Sequence, residues 1–440
     1  MTTMLILTLA LLSSSAFSQS TFTLEQAKQY ALENHLSIQN AQLETKKAIY
    51  KKRETIGIGL PQVDMQGSYN YFINLPRQAI DGAFFGQPGQ LVTFEAGTKY
   101  NASGNLNVGQ LIFNGSYIVG LQVSKLFVDF QRTFEIQTQE DVVFNVIKAY
   151  SLYAVAQDNL VFIDSLVQLT SKLADQQMKF QELGLSSKEA VDQMLFTVKQ
   201  AENGLRQAKL QRDNAAVMLK LAMNFPIETE VMFTDDSEKL MSESNISLSG
   251  NVMNNVQVQI LQQSVMLNEY NLKNYKYERL PSLNSFFQQG YNAFRNEFDF
   301  FGDQPYFQQS MIGLQLNIPI FSGGQGHYKI KQAQVEVLKS TNELKMLQQG
   351  LKAQEKQFLN NLIGAKDQYE LQKENLELAR RIYTNAVKKK EIGSGSELEV
   401  TQKYNQFIAA QTELMSAKIN VLDAKLAIEK LYNKILKSNN

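Results

Sequence analysis

From residue 407 onward, apolar and small residues return at intervals of three and four: Phe407, Ala410, Leu414, Ala417, Val421, Ala424, Ile428 and Leu431. That spacing predicts a coiled-coil seam. Small alanines alternate with large side chains, so a facing helix can approach closely and be held in register. The stretches from about Gly115 to Gln181 and from about Gln325 to Glu391 contain no proline and read as single helices. At 1.5 Å per residue each is on the order of 100 Å long, far beyond the size of a compact domain. They are rods. Other segments alternate with period two. Ile312, Leu314, Leu316 and Ile318 share one face, and Gly313, Gln315 and Asn317 the other. Val63, Met65, Tyr69 and Tyr71 likewise oppose Gln62, Asp64, Gln66, Ser68 and Asn70. Such segments suit the wall of a membrane β-barrel, although a half-buried soluble sheet alternates identically.

The pattern occurs twice. Glu182-Leu183-Gly184-Leu185-Ser186-Ser187 aligns with Glu391-Ile392-Gly393-Ser394-Gly395-Ser396 at an offset of 209 residues, and the match runs on through the seam to Asn224 and Asn433. At nearly the same offset, Leu106–Gly115 matches Leu314–Gly323, and Leu60-Pro61 matches Leu280-Pro281. Four matches in one order indicate tandem copies. The expected organisation is repeat 1 at 19–225, a polar, acidic connector at 226–250, and repeat 2 at 251–440. Each repeat reads as helix, strand, long loop, strand, very long helix, turn and helix. The strands are placed near 61–73, 100–113, 281–294 and 309–321, and the turns at 183–187 and 392–396. Four strands cannot close a barrel, and open sheet edges cannot face lipid. If the strands span a membrane, several chains must share one barrel.

Composition narrows the chemistry. The 440 residues include 43 basic and 43 acidic side chains, so no net charge steers the chain towards nucleic acid. There is no cysteine, which excludes disulfides, thiolate metal sites and a cysteine nucleophile. His35 and His327 are the only histidines and lack metal-ligand spacing. Ser322-Gly323-Gly324-Gln325-Gly326 lacks the lysine of a phosphate loop and reads as a strand-to-helix corner. Lys388-Lys389-Lys390 ends a long helix, where cations offset the dipole. No catalytic constellation, cofactor site or metal site is expected. Met4–Leu12 is apolar and leads to Ser13-Ser14-Ser15-Ala16-Phe17-Ser18, which predicts a signal peptide over 1–18. No other run is long and apolar enough for a spanning helix, so a membrane can be crossed only with strands.

The tandem repeat, the Leu-Pro entry to the first strand, the Phe-Asn/Ser-Gly exit from the second and the glycine-containing helix-helix turn together resemble the TolC family of outer-membrane efflux proteins. Order, spacing and duplication over the mature chain carry the resemblance. It implies a mainly α fold with a β membrane portion. Long antiparallel coiled-coil helices would form a periplasmic tunnel, and each chain of a homotrimer would add four strands to a 12-stranded barrel in outer-membrane lipid. The 226–250 connector would help build an equatorial girdle. The loops at 73–99, with Phe84, Phe85 and Phe94, and at 295–308 would face outside the cell. Leu183, Gly184, Leu185, Ser186 and Ser187, with Ile392, Gly393 and Ser394, would form an inner tip docking a periplasmic adaptor and, through it, an inner-membrane transporter. Glu399 stands where the family places the first acid of a gating or selectivity ring; Gln402 takes the place of the second, and Asp192 is the nearest acid in repeat 1. The implied function is a passive export duct in efflux or type I secretion. The competing class is a secreted or surface-attached coiled-coil structural or adhesive protein without a pore.

Overall fold

The computed structural model describes residues 20–86, 88–242 and 250–436. The expected signal peptide, part of the connector and the Phe84 side chain lie outside what is described. The chain divides into two units: residues 1–42, 134–259 and 346–440 form the first, and residues 43–133 and 260–345 the second.

The first unit is helical. It holds α1 (Leu24–Asn34), most of α3 (Gly115–Glu182), α4 (Lys188–Met223), most of α7 (Gln325–Glu391) and α8 (Glu397–Leu431). The α8 seam is buried as its spacing demands: Phe407, Leu414, Ala417, Val421, Ile428 and Leu431 are all core residues. A second core gathers Ala27, Ala31, Val146, Tyr150, Leu219 and Met223 around a short parallel pair, β1 (Ser20–Phe22) with β6 (Val231–Phe233). Phe22 packs edge-on against Tyr30 and Phe225. Tyr150, fully buried, donates a 3.0 Å hydrogen bond to the Phe22 carbonyl and accepts one of 3.0 Å from the Asp235 N–H. One phenol thus ties a long helix to both connecting segments.

Helix ends repeat their chemistry. In α3 and α7 the chain reverses through Gly184 (φ 72°) and Gly393 (φ 77°), left-handed positions that glycine occupies without strain. Leu185 N–H reaches back to Phe180 O at 2.8 Å, and Ser394 N–H to Lys389 O at 2.9 Å. The same six-to-one bond closes α4 (Phe225 to Lys220, 2.8 Å) and α8 (Lys434 to Glu429, 2.9 Å). Asn224 (φ 57°) and Asn433 (φ 55°), the pair matched by the repeat, take the left-handed position there. Two copies of one sequence unit therefore end their helices by one device.

The second unit is built on a four-stranded antiparallel sheet in the order β2 (Gln62–Tyr71), β5 (Tyr100–Phe113), β7 (Ser282–Arg295), β8 (Phe307–Asn317). α2 (Leu36–Gly57) and α6 (Val256–Tyr277) lead into β2 and β7, while β5 and β8 lead out into α3 and α7. All four strand-helix junctions therefore lie at one end of the sheet. β8 stops at Asn317, short of the expected 321, because Pro319 has no N–H to give to a ladder. The 73–99 loop is not irregular throughout: it contains a hairpin, β3 (Arg77–Asp81) with β4 (Leu91–Glu95), closed by an Arg77–Glu95 ion pair at 3.3 Å. The sequence reading had no strand there. α5 (Ser237–Ser242) is a short helix within the connector.

Candidate functional site

The sheet register sorts the strand residues into two faces. Val63, Val108, Phe287 and Ile312 form one cross-strand row. Met65 and Leu106 lie beyond it on the same face, as does Leu314 on the other side of the row. The opposite face carries Gln62, Asp64, Gln66, Ser68, Asn101, Asn105, Gln288 and Gln315, with few aromatic interruptions such as Phe286. In a soluble protein the apolar face would be covered. Here Ile312 is 83%, Met65 77% and Leu314 71% exposed. The outer strands β2 and β8 each have one unpaired edge. At the loop end of the apolar face, Tyr69 and Tyr100 pack edge-on against Phe298 of the β7–β8 loop at 6.3 and 6.1 Å, and Tyr71 stacks on Tyr100 at 4.9 Å. That loop is organised by buried Arg295, whose guanidinium donates to the carbonyls of Asp299, Gln304 and Pro305 and faces the Tyr306 ring.

The helical unit presents the second part of the site. The α3–α4 and α7–α8 hairpins pack through Met194, Val198, Tyr383, Val400, Tyr404 and Phe407, and both turns lie at one end of that packing. Leu183 and Leu185 are 71% and 73% exposed and Ile392 is 79% exposed, so the apolar residues of both turns point away from the core. Ser187 caps α4, accepting from Ala190 N–H at 3.2 Å; Ser396 caps α8, accepting from Glu399 N–H at 3.2 Å. Ser186 does not cap: its hydroxyl accepts from Gln177 of α3. Ser394 instead bonds back to the Lys389 carbonyl at 3.1 Å. Glu399 sits in the first turn of α8, and Asp192 is exposed early in α4.

Near both turns, buried Thr197 and Thr401 share a 2.9 Å hydrogen bond between α4 and α8, and Gln193 donates to Thr401 at 3.4 Å. Lys390 pairs with Glu397 across the second turn, a more specific role than balancing a helix dipole. The threonine contact has no repeat signature, since the two residues are not equivalent positions of the repeat.

The sequence model of the outer membrane efflux protein family matches residues 252–434. Over 93% of this chain the fold is that of three solved proteins. CusC, described in terms of folding and transmembrane channel formation, superposes with a TM-score of 0.74 at 16% identity, covering 91% of that chain. The outer membrane protein VceC of Vibrio cholerae gives 0.70 at 13% over 95% of its chain, and the outer membrane channel CmeC of Campylobacter jejuni 0.73 at 16% over 85%. The second repeat of the chain resembles the outer membrane efflux proteins in sequence. No curated protein sequence matches the chain; at these identities the solved relatives share its fold, and the second half of the sequence carries the family signature. The described residues are mainly helical with one four-stranded antiparallel sheet, as the alternating and seam-like segments predict.

Proposed function

We propose that the chain is one subunit of a passive outer-membrane export duct. In this reading three copies join β8 of one to β2 of the next, closing a 12-stranded barrel in the outer membrane. The helices line a periplasmic tunnel. The exposed turns at Leu183–Ser187 and Ile392–Ser394 dock a periplasmic adaptor, and through it an inner-membrane transporter of an efflux or type I secretion system. The observation that carries the reading is the sheet: an exposed apolar face, a polar opposite face and two open edges make sense only against lipid and further copies of the chain. A pore-free coiled-coil protein would have no use for that face.

The strand junction is directly testable because the chain has no cysteine. Cysteine pairs scanned between positions 64–68 of β2 and 309–315 of β8 are expected to give covalent trimers on oxidation. A scan yielding only monomers, from membrane-extracted folded protein, removes the shared barrel. For the tip, Leu185→Asp is expected to abolish export in cells while leaving the conductance of the purified channel unchanged. Three copies of Glu399 around a narrow axis would attract cations, so Glu399→Gln is expected to lower cation preference, with Asp192→Asn doing so less. Unchanged selectivity in both would remove the gate assignment and leave the duct intact.

A further inference from the structure

Charge is distributed unevenly within the strand-bearing unit. Its strands and connecting loops, residues 62–113 and 282–317, hold three basic and six acidic residues. The rest of that unit, the helical segments 43–61, 114–133, 260–281 and 318–345, holds fourteen basic and seven acidic residues. The whole chain is neutral, so this excess is local. Nearest the sheet it is carried by Lys52 and Arg53 ahead of β2 and by Lys273, Lys276 and Arg279 ahead of β7, with Lys125 on α3 and Lys329 and Lys331 on α7 further along the helices that leave it. All four strand-helix junctions lie at one end of the sheet. Lys52, Arg53, Lys125, Lys276, Arg279 and Lys331 make no ion pair among the described residues. Arg53, Lys276 and Arg279 lie within about three helical turns of the strands they precede, and Lys331 lies within the first two turns of α7.

These cations are interleaved with tyrosines. Lys273 lies 5.6 and 5.5 Å from the Tyr270 and Tyr277 rings, Lys329 is 5.8 Å from Tyr275, and Lys46 is 5.9 Å from Tyr50. Tyr328 at the start of α7 is exposed. Amphipathic tyrosines favour the headgroup level of a bilayer, and cations on flexible stems favour its phosphates. These cations are strung along helix surfaces next to the sheet and line none of the pockets found, so they fit a surface of many phosphates better than one small anion. We infer that this band binds anionic phospholipid headgroups in the leaflet on the helical side of the membrane, fixing how deep the strands sit. The inference rests on the outer-membrane reading above and adds to it a lipid class.

The test uses full-length protein reconstituted in phosphatidylcholine vesicles with and without phosphatidylglycerol, with retained lipid counted by native mass spectrometry. Wild type is expected to enrich phosphatidylglycerol, roughly fivefold for each basic contact, equivalent to about 1 kcal/mol per residue. The enrichment is expected to fall as salt rises. The variant carrying Arg53→Gln, Lys276→Gln, Arg279→Gln and Lys331→Gln is expected to lose the preference yet insert normally into phosphatidylcholine. Retention of the two lipids in bulk proportion by wild type, or an undiminished preference in the variant, overturns the inference while the duct reading stands. Failure of wild type to insert into either vesicle overturns both.

Discussion

The two units of this chain use the same apolar side chains to opposite ends. In the helical unit Val146, Tyr150 and Leu219 have no exposed surface; in the strand unit Ile312, Leu314 and Met65 are mostly exposed. Both sets follow a strict period, of about 3.5 residues in one and 2 in the other, so the sequence treats them with equal care. On the proposed duct reading, what differs is the solvent each set meets. Helices that bury a seam against one another gain by excluding water. A sheet with one apolar face gains nothing in water and everything in hydrocarbon, where its edges must also find partners. On that reading, burial within one chain is a poor guide to which residues would hold the proposed assembly.

The largest effect expected from this contrast is at the exposed face. Leu314→Arg should cost about 2–4 kcal/mol per chain at bilayer depth and, summed over the copies of a barrel, prevent insertion, while Gln315→Lys on the polar face inserts normally; a membrane flotation assay reads both. In the helical unit the corresponding sensitivity is to a buried charge. Glu140 is 1% exposed, and one of its carboxylate oxygens has no hydrogen-bond partner. Desolvation, reinforced by Asp141 and opposed by Lys430, raises its pKa from 4.5 to about 7. The folded state thus holds this proton more tightly than the unfolded chain. The stability the group contributes is complete below pH 4.5 and is lost as pH rises through 7. Glu140→Gln should match wild type in thermal unfolding at pH 4 and exceed it at pH 8, by up to about 3 kcal/mol.

Smaller effects sharpen the account of the helical unit. Tyr150→Phe leaves the Phe22 carbonyl and the Asp235 N–H without their shared partner. A loss of about 1–3 kcal/mol is expected by denaturant unfolding. Gly184→Ala forces a side chain into a left-handed position and should cost about 1 kcal/mol. Both substitutions should leave insertion of the strands unaffected.

Much of this was legible in advance because periodicity is written locally. The α8 seam, the alternation of β2 and β8, and the glycine turns each need only a short window of sequence to be seen. The two left-handed asparagines were visible as a repeat match before their backbone was known. What stayed hidden depends on contacts distant along the chain. β1 and β6 are three residues each, too short to show a period, and they are held by Tyr150 and an aromatic cluster from separate segments. The β3–β4 hairpin sits in a polar loop whose strands alternate only weakly. Thr197 and Thr401 meet across the repeats without occupying equivalent positions, so duplication gave no hint of their bond. The basic band emerges only when the topology brings four junctions to one end of the sheet.

The central claim, that the exposed strand face meets lipid, can be read in one measurement because the chain contains no tryptophan. Single tryptophans are placed at Ile312→Trp and, on the other face, at Gln315→Trp, and the protein is reconstituted in vesicles containing brominated lipid. The account predicts blue-shifted emission strongly quenched by bromine at position 312, and emission at 315 insensitive to bromine but quenched by an aqueous quencher. Quenching at both positions from water alone, in folded protein bound to the vesicles, would contradict it.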